Sequence, residues 1–242
     1  MAKRTGAKAN RRIHPRLKAM LSIQEEFGRY TTPKGPEAEF QPGSRRQVLR
    51  NSLGITSKRK MDEVEFQALV RVQEDYLKKI TPKTRFTATL ICRMHRDWLG
   101  MIYPWAGQYR TVELQKGSFR WPPAHLVGQN MAEFERILLA RHTPCLPGKL
   151  PDVAQKIAEV HAELLLIHPF REGNGRLARW LAELMCLQAG FPIPDYGFTG
   201  KGSKKRQETY LVAVTRGYGQ DYTALTYFFA DAIRRRLEET TP

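Results

Sequence analysis

Cysteine is scarce in this chain, with Cys92, Cys145 and Cys186 the only three among 242 residues. An odd number without metal-ligand spacing argues against a disulfide framework or a cysteine zinc site, and it suits a reducing, cytoplasmic setting. Long apolar runs are missing too. No segment is therefore read as crossing a bilayer, and the basic N-terminus is not followed by the apolar stretch of a signal peptide. Acidic residues are few beside basic ones, 24 against 40, which gives a net charge of +16. That excess is uneven: residues 1–60 hold 15 Lys/Arg and 4 Asp/Glu, a balance of +11, so the rest of the chain carries only +5. Phe, Tyr and Trp are absent from residues 1–26. A basic run without stacking aromatics is a weak case for nucleic acid, so residues 1–45 are read as a basic, flexible tail and residues 46–238 as the working domain.

What is present is enough for one core: 41% of the residues are hydrophobic, and no internal repeat divides them. Their spacing is helical. Asp62 and Glu65 resemble a capping box for a helix with Phe66, Leu69, Val70, Leu77 and Ile80 inward, stopping at Thr81-Pro82. Leu90, Ile91, Met94, Trp98 and Leu99 mark a second helix ending at Gly100, and Val127, Met131, Phe134, Ile137 and Leu138 a third ending near Pro144. Further helices are expected at 153–167, 175–189, 204–216 and 222–236. Between the second and third helices, Tyr109 to Trp121 read as a hairpin about a Lys116-Gly117-Ser118 turn. The expected fold is mainly α, a helical bundle with one small β-hairpin.

The segment joining the fourth and fifth helices, His168 to Arg179, reads HPFREGNGRLAR. Gly173, Asn174 and Gly175 fall where a helix begins, so unpaired backbone N–H groups and the positive dipole end face the loop. An anion is the natural occupant. Arg176 and Arg179, three apart in the first turn, add two cations on one face, which suits a multiply charged phosphate. Glu172 in that field can serve a magnesium ion bridging phosphate oxygens. His168 is the one group there that ordinarily titrates near neutrality, which makes it the candidate general base. His95 and His161, on helices, are read as core or supporting residues, and Trp98, Trp105, Trp121 and Trp180 as packing.

These residues resemble the signature of the Fic family, His-x-Phe-x-(Asp/Glu)-Gly-Asn-(Gly/Lys)-Arg-x-x-Arg, with every defining position met. Tyr103 to Val112 is similar to the stretch leading into the family's flap, Lys116 to Pro123 to the flap itself, and Tyr210 with Gly217 to Phe229 to its closing helices. The resemblance implies a protein adenylyltransferase. His168 would activate a target Ser, Thr or Tyr hydroxyl for attack on the α-phosphorus of ATP; Gly173, Asn174, Gly175, Arg176, Arg179 and Tyr210 would bind the nucleotide, Glu172 would hold Mg2+, and Phe170 would anchor the core. Lys116, Gly117, Ser118 and Phe119 would dock the target as an added strand. The family branch that transfers the terminal phosphate has Lys where this chain has Gly175, so AMP transfer is favoured.

Many relatives carry an inhibitory helix reading (Ser/Thr)-x-x-x-Glu-(Gly/Asn). Here the only Glu followed by Gly or Asn is Glu172 itself. Either a separate small antitoxin-like protein supplies that glutamate to Arg179, or the enzyme is constitutively active, at home or delivered into another cell. Two other readings compete. One is an idle nucleotide- or partner-binding module with a basic tail; the other is a Fic enzyme that transfers phosphate or removes AMP.

Overall fold

The computed structural model describes residues 36–240. Most of the expected tail, 1–35, lies outside the described residues. Residues 36–45, assigned by sequence to that tail, lie against the domain: the Glu37 carboxylate accepts from the Thr111 N–H and hydroxyl, and its carbonyl accepts from Arg171 Nε.

Seven α-helices follow, with one two-stranded antiparallel sheet between the second and third. Helix α1 spans Lys58–Lys79. Its cap is Ser57, whose hydroxyl accepts from Lys60 N, so Asp62 and Glu65 are interior residues and the expected capping box is corrected. The face is corrected as well. Met61, Glu65, Leu69, Val72 and Tyr76 are buried, whereas Phe66, Val70 and Leu77 are exposed. The helix ends at Ile80, in extended backbone before Thr81-Pro82, where proline disfavours another helical turn.

Helix α2 (Ala88–Leu99) is capped by Thr87 and stops at Gly100, and it buries Ile91, Met94, Trp98 and Leu99 as the spacing predicts. Strands β1 (Gln115–Lys116) and β2 (Phe119–Arg120) pair Gln115 with Arg120 and Lys116 with Phe119. The turn is thus Gly117-Ser118, with Lys116 inside a strand and Gly117 at a φ of 58° that favours glycine. Helix α3 (Val127–Phe134) continues through a π-helical stretch, Glu135–Leu139, into a last α turn, Ala140–His142.

Helix α4 (Leu150–Ile167) is the axis of the fold. It buries 11 of its 18 residues, too many for a one-sided stripe, because it packs against α5 (Asn174–Gln188), α6 (Ser203–Gly217) and α7 (Thr223–Thr240). Burying a Leu or Ile side chain there contributes roughly 1.5–3 kcal/mol. Because α4 and α5 are anchored along their lengths, the short loop between them is fixed at both ends. A small satellite cluster of Val112, Leu114 and Trp121, with Ala38 and Phe119, sits under the hairpin. The three cysteines are all free thiols. Among the described residues no helix is long and apolar enough to cross a membrane.

Candidate active site

The loop between α4 and α5 is shaped by two left-handed residues. His168 closes α4 with φ 51°, its N–H donating to Leu164 O, and Gly173 opens α5 with φ 84°. A Cβ at Gly173 would lie 2.9 Å from Trp98 Cζ3, so both the conformation and the space require glycine. Gly173 has no side chain to cap the helix, and the first turn of α5 is left with N–H donors facing outward. A Cβ at Gly175, by contrast, would meet only Arg179 Nη1, at an ordinary 3.7 Å.

The loop is held from beneath. Phe170 is fully buried and stacks on His95, ring centroids 3.9 Å apart and planes 8° from parallel. His95 Nδ1 accepts from Gly107 N, which leaves Nε2–H to donate to Glu172 O at 3.0 Å. Burial pushes its pKa down to about 4, so it stays neutral. Phe170 as a core anchor and His95 as a supporting residue both lie where the sequence places them.

Asn174 has a structural part beside the role the sequence suggests. Its side chain is 3% exposed, with Oδ1 accepting from Phe170 N at 3.0 Å and Nδ2 donating to Phe170 O at 2.7 Å. Its amide clasps the loop, which leaves its backbone N–H and one amide hydrogen outside these two bonds.

Arg110 is absent from the sequence-based candidates. The side chain is 2% exposed and donates to His168 O, Val112 O and Pro122 O at 2.8, 3.0 and 2.6 Å, while its backbone N–H donates to Pro169 O. One guanidinium therefore ties the base of the hairpin to the motif loop. A buried arginine serving carbonyls has no sequence signature, and only the position of Arg110 just before the hairpin could have hinted at it.

His168 lies under the hairpin, 8% exposed, with the Trp121 ring 4.1 Å from its own. Its Nδ1 is 3.1 Å from Leu165 O, an acceptor, so Nδ1 carries the proton and Nε2 is the unprotonated nitrogen. Burial pushes its pKa down to about 3; Arg110 and Lys116 also lower it, and the Leu165 bond opposes. The imidazole is neutral across physiological pH.

The two motif arginines diverge. Arg176 leans toward α1, where Nη2 meets Glu65 Oε2 at 2.6 Å and Glu172 Oε1 at 3.5 Å. Arg179 folds back over the helix start and stands over the Phe198 ring, and its charge acts on the nearby Tyr210 hydroxyl. Tyr210 is 5% exposed, with its hydroxyl 2.7 Å from His161 Nε2, and His161 Nδ1–H donates to Ala178 O. Tyr210 is thus buried behind the motif loop, beside Arg179. Behind it, burial pushes the Glu183 carboxyl up to about 7 against the pull of Arg179.

Glu172 keeps a partly exposed carboxylate, and Oε1 accepts from Gly173 N at 2.9 Å. No group of three or more metal-ligating side chains is present among the described residues. One carboxylate beside an anion nest fits an ion that arrives already bound to phosphates, which needs only one or two protein oxygens. A cavity of ≈ 290 Å³ connects Glu172 and Arg176 with Lys116 of the hairpin and with Lys58, Glu65 and Tyr103. In the hairpin, Lys116, Gly117 and Ser118 are exposed, whereas Phe119 is half-buried and stacks on Tyr218 at 5.3 Å.

Residues 85–186 match the profile of the Fic/DOC family. Over this stretch, under half of its length, the chain is similar to that family. Its catalytic-type loop, His168 to Arg179, falls inside the matched stretch. The chain is 28% identical over 195 residues to protein adenylyltransferase VbhT of Bartonella schoenbuchensis, covering 80% of this chain and 38% of that protein. It is 24% identical over 223 residues to "Probable protein adenylyltransferase Fic" of Salmonella typhimurium, covering 89% and 99%. The chain thus spans well under half of the first relative and nearly all of the second. Among solved structures, the N-terminal Fic domain of a Bartonella effector protein aligns with TM-score 0.69 at 19% identity, over 87% of this chain and 97% of that one. The BepC protein of Bartonella tribocorum, solved with AMPPNP bound, aligns with TM-score 0.64 at 20% identity, over 82% and 98%. The domain accordingly has the Fic fold, mainly helical with a small antiparallel hairpin.

Proposed function

We propose that this chain is a protein adenylyltransferase, moving AMP from MgATP to a Ser, Thr or Tyr hydroxyl of a target protein. The observation that carries this reading is the pairing, in one loop, of an uncapped helix start with a neutral imidazole whose unprotonated nitrogen is fixed by Leu165. The relatives named as adenylyltransferases support it, and so does Gly175, where the phosphate-transferring branch has Lys.

In the reaction, the acceptor oxygen forms a bond to the α-phosphorus while the bond from that phosphorus to the bridging α–β oxygen breaks, and pyrophosphate leaves. The acceptor proton passes to His168 Nε2. The N–H donors of the α5 start hold phosphate oxygens, and Arg176 and Arg179 meet the leaving phosphates from opposite sides. Glu172 would offer a ligand oxygen to a magnesium ion bound to the nucleotide, which would supply charge neutralisation for the phosphates. The exposed hairpin residues Lys116, Gly117 and Ser118 receive the target backbone and set its hydroxyl in line.

Residues 46–238 form the catalytic unit in this reading. Without an internal inhibitory glutamate, restraint of Arg179 falls to a separate small protein, as in a toxin and its antitoxin, and delivery into another cell is in keeping with the effector proteins that share the fold. The test uses ATP labelled on the α- or the γ-phosphate with magnesium and a lysate. Label on protein from the α-position alone, lost in His168→Ala, is expected. Label from the γ-position would assign phosphate transfer, and nucleotide binding without any labelling would assign an idle binding module.

A further inference from the structure

Glu65 is a carboxylate on the core-facing side of α1, 3% exposed, at a register position where helices carry apolar residues. Each of its oxygens has one partner. Oε1 accepts from the Tyr103 hydroxyl at 2.6 Å, Oε2 accepts from Arg176 Nη2 at 2.6 Å, and the backbone carbonyl accepts from Trp98 Nε1 at 2.9 Å. The Arg176 guanidinium also lies over the Trp98 ring, 4.7 Å from its centroid. An edge and a face of the guanidinium are therefore fixed by groups from two other helices and the loop.

We propose that Glu65 is the positioning residue for Arg176, holding its guanidinium so that the remaining donors face the terminal phosphates of the nucleotide. Three observations favour positioning over masking. The contact to Glu65 uses Nη2 alone, whereas a carboxylate that quenched the arginine would take two parallel N–H donors. Nε and Nη1 make no hydrogen bond among the described residues, and the side chain keeps 26% of its exposure. Arg176 and Glu65 also line the same cavity as Glu172 and Lys116, so the open edge meets the space that joins loop and hairpin. Tyr103 and Trp98 supply the reason the arrangement holds still. Tyr103 fixes the carboxylate, and the indole stops the guanidinium from rotating out of plane.

The inference rests on the proposed use of ATP, and AMP separates the two, because it lacks the phosphates that Arg176 would meet. Calorimetric titration of the full chain with MgATP and with AMP compares wild type, Glu65→Ala, Glu65→Gln, Arg176→Ala and the double variant Glu65→Ala/Arg176→Ala. Glu65→Ala is expected to weaken MgATP by about tenfold or more while AMP changes by less than about twofold, the loss of one well-placed charge-assisted contact. Glu65→Gln keeps an oxygen for Arg176 and a polar partner for Tyr103, so about threefold is expected on MgATP alone, and it carries the test should the alanine variant not fold. The double variant is expected to match Arg176→Ala, since a residue that acts through another adds nothing once that other is gone.

Equal weakening of AMP and MgATP would reduce Glu65 to a structural residue. Tighter MgATP in Glu65→Ala would make it a mask, and either result overturns the proposal. Wild type that binds MgATP no better than AMP would instead overturn the triphosphate grip itself.

Discussion

The motif loop and the hairpin above it are built in opposite ways. Beneath the loop, Phe170, Asn174, His95 and Arg110 are buried, and every polar atom among them that the loop uses has a named partner within the fold. The hairpin has strands of two residues each, and its tip, Lys116 to Ser118, is exposed. Geometry that the reaction needs every turnover is thus fixed by the interior, while geometry that must fit a partner is left to a few backbone groups at the surface. Arg110 joins the two regions, so disturbing it disturbs both.

The comparison predicts a graded series. The largest effect is on rate: His168→Ala should lower AMP transfer by about 10²–10⁴-fold, far beyond the modest drop in melting temperature expected from the lost Trp121 and Leu165 contacts. Equal rates at saturating substrates would place the base elsewhere. Next is Arg110→Met, which strands the carbonyls of His168, Val112 and Pro122; urea unfolding should show a loss of about 3 kcal/mol, with activity falling further than stability accounts for. A stable, fully active variant would mean that loop and hairpin are not coupled through it. Gly173→Ala should cost about 2 kcal/mol and most of the activity, since φ 84° and the Trp98 ring both oppose a Cβ, whereas Gly175→Ala should fold normally.

Acid sharpens the contrast between buried and exposed regions. His168 and His161, held near 3, and His95, near 4, take up protons more readily when unfolded, where the value is 6.5. The unfolded state therefore binds more protons below pH 6.5, so their contribution is fully present above that pH and is lost as pH falls toward 4 and then 3, by up to about 1.4 kcal/mol per pH unit for each imidazole. Stability by urea titration should be lower at pH 5 than at pH 7.5. The transfer rate, for its part, should show no inflection at 6.5 from His168, which is already neutral there. The smallest effect belongs to the hairpin tip: Ser118→Ala, which leaves the docking backbone intact, should change stability by less than about 0.5 kcal/mol and leave both KM for the protein target and nucleotide binding within about twofold.

Much of this was legible in the sequence, for physical reasons that also explain the failures. Helix α2 shows the buried apolar spacing because it has one unambiguous stripe, α4 and α5 because they are apolar on most sides, and the anion nest follows from glycines at a helix start. Helix α1 misled because it carries two stripes at helical spacing, Met61-Leu69-Val72-Tyr76 and Phe66-Val70-Leu77. The first is buried although it includes Glu65, whose carboxylate is matched by Tyr103 and by Arg176, the latter 111 positions along the chain. No local pattern reports a partner that far away. Arg110 was missed, and the packing of Asn174 and Tyr210 was not foreseen, for the same reason: tertiary structure brings them their partners, three carbonyls, a loop backbone and a buried histidine.

In the proposed reaction, the imidazole of His168 takes the proton of the target hydroxyl as that oxygen attacks the α-phosphorus of ATP. Peptide mass spectrometry of lysate proteins incubated with MgATP and either wild type or His168→Ala tests this most directly. The mass of AMP on Ser, Thr or Tyr in the wild-type sample and nowhere in the variant sample is the predicted result. The same modification at equal yield in both samples, or in neither, would contradict it.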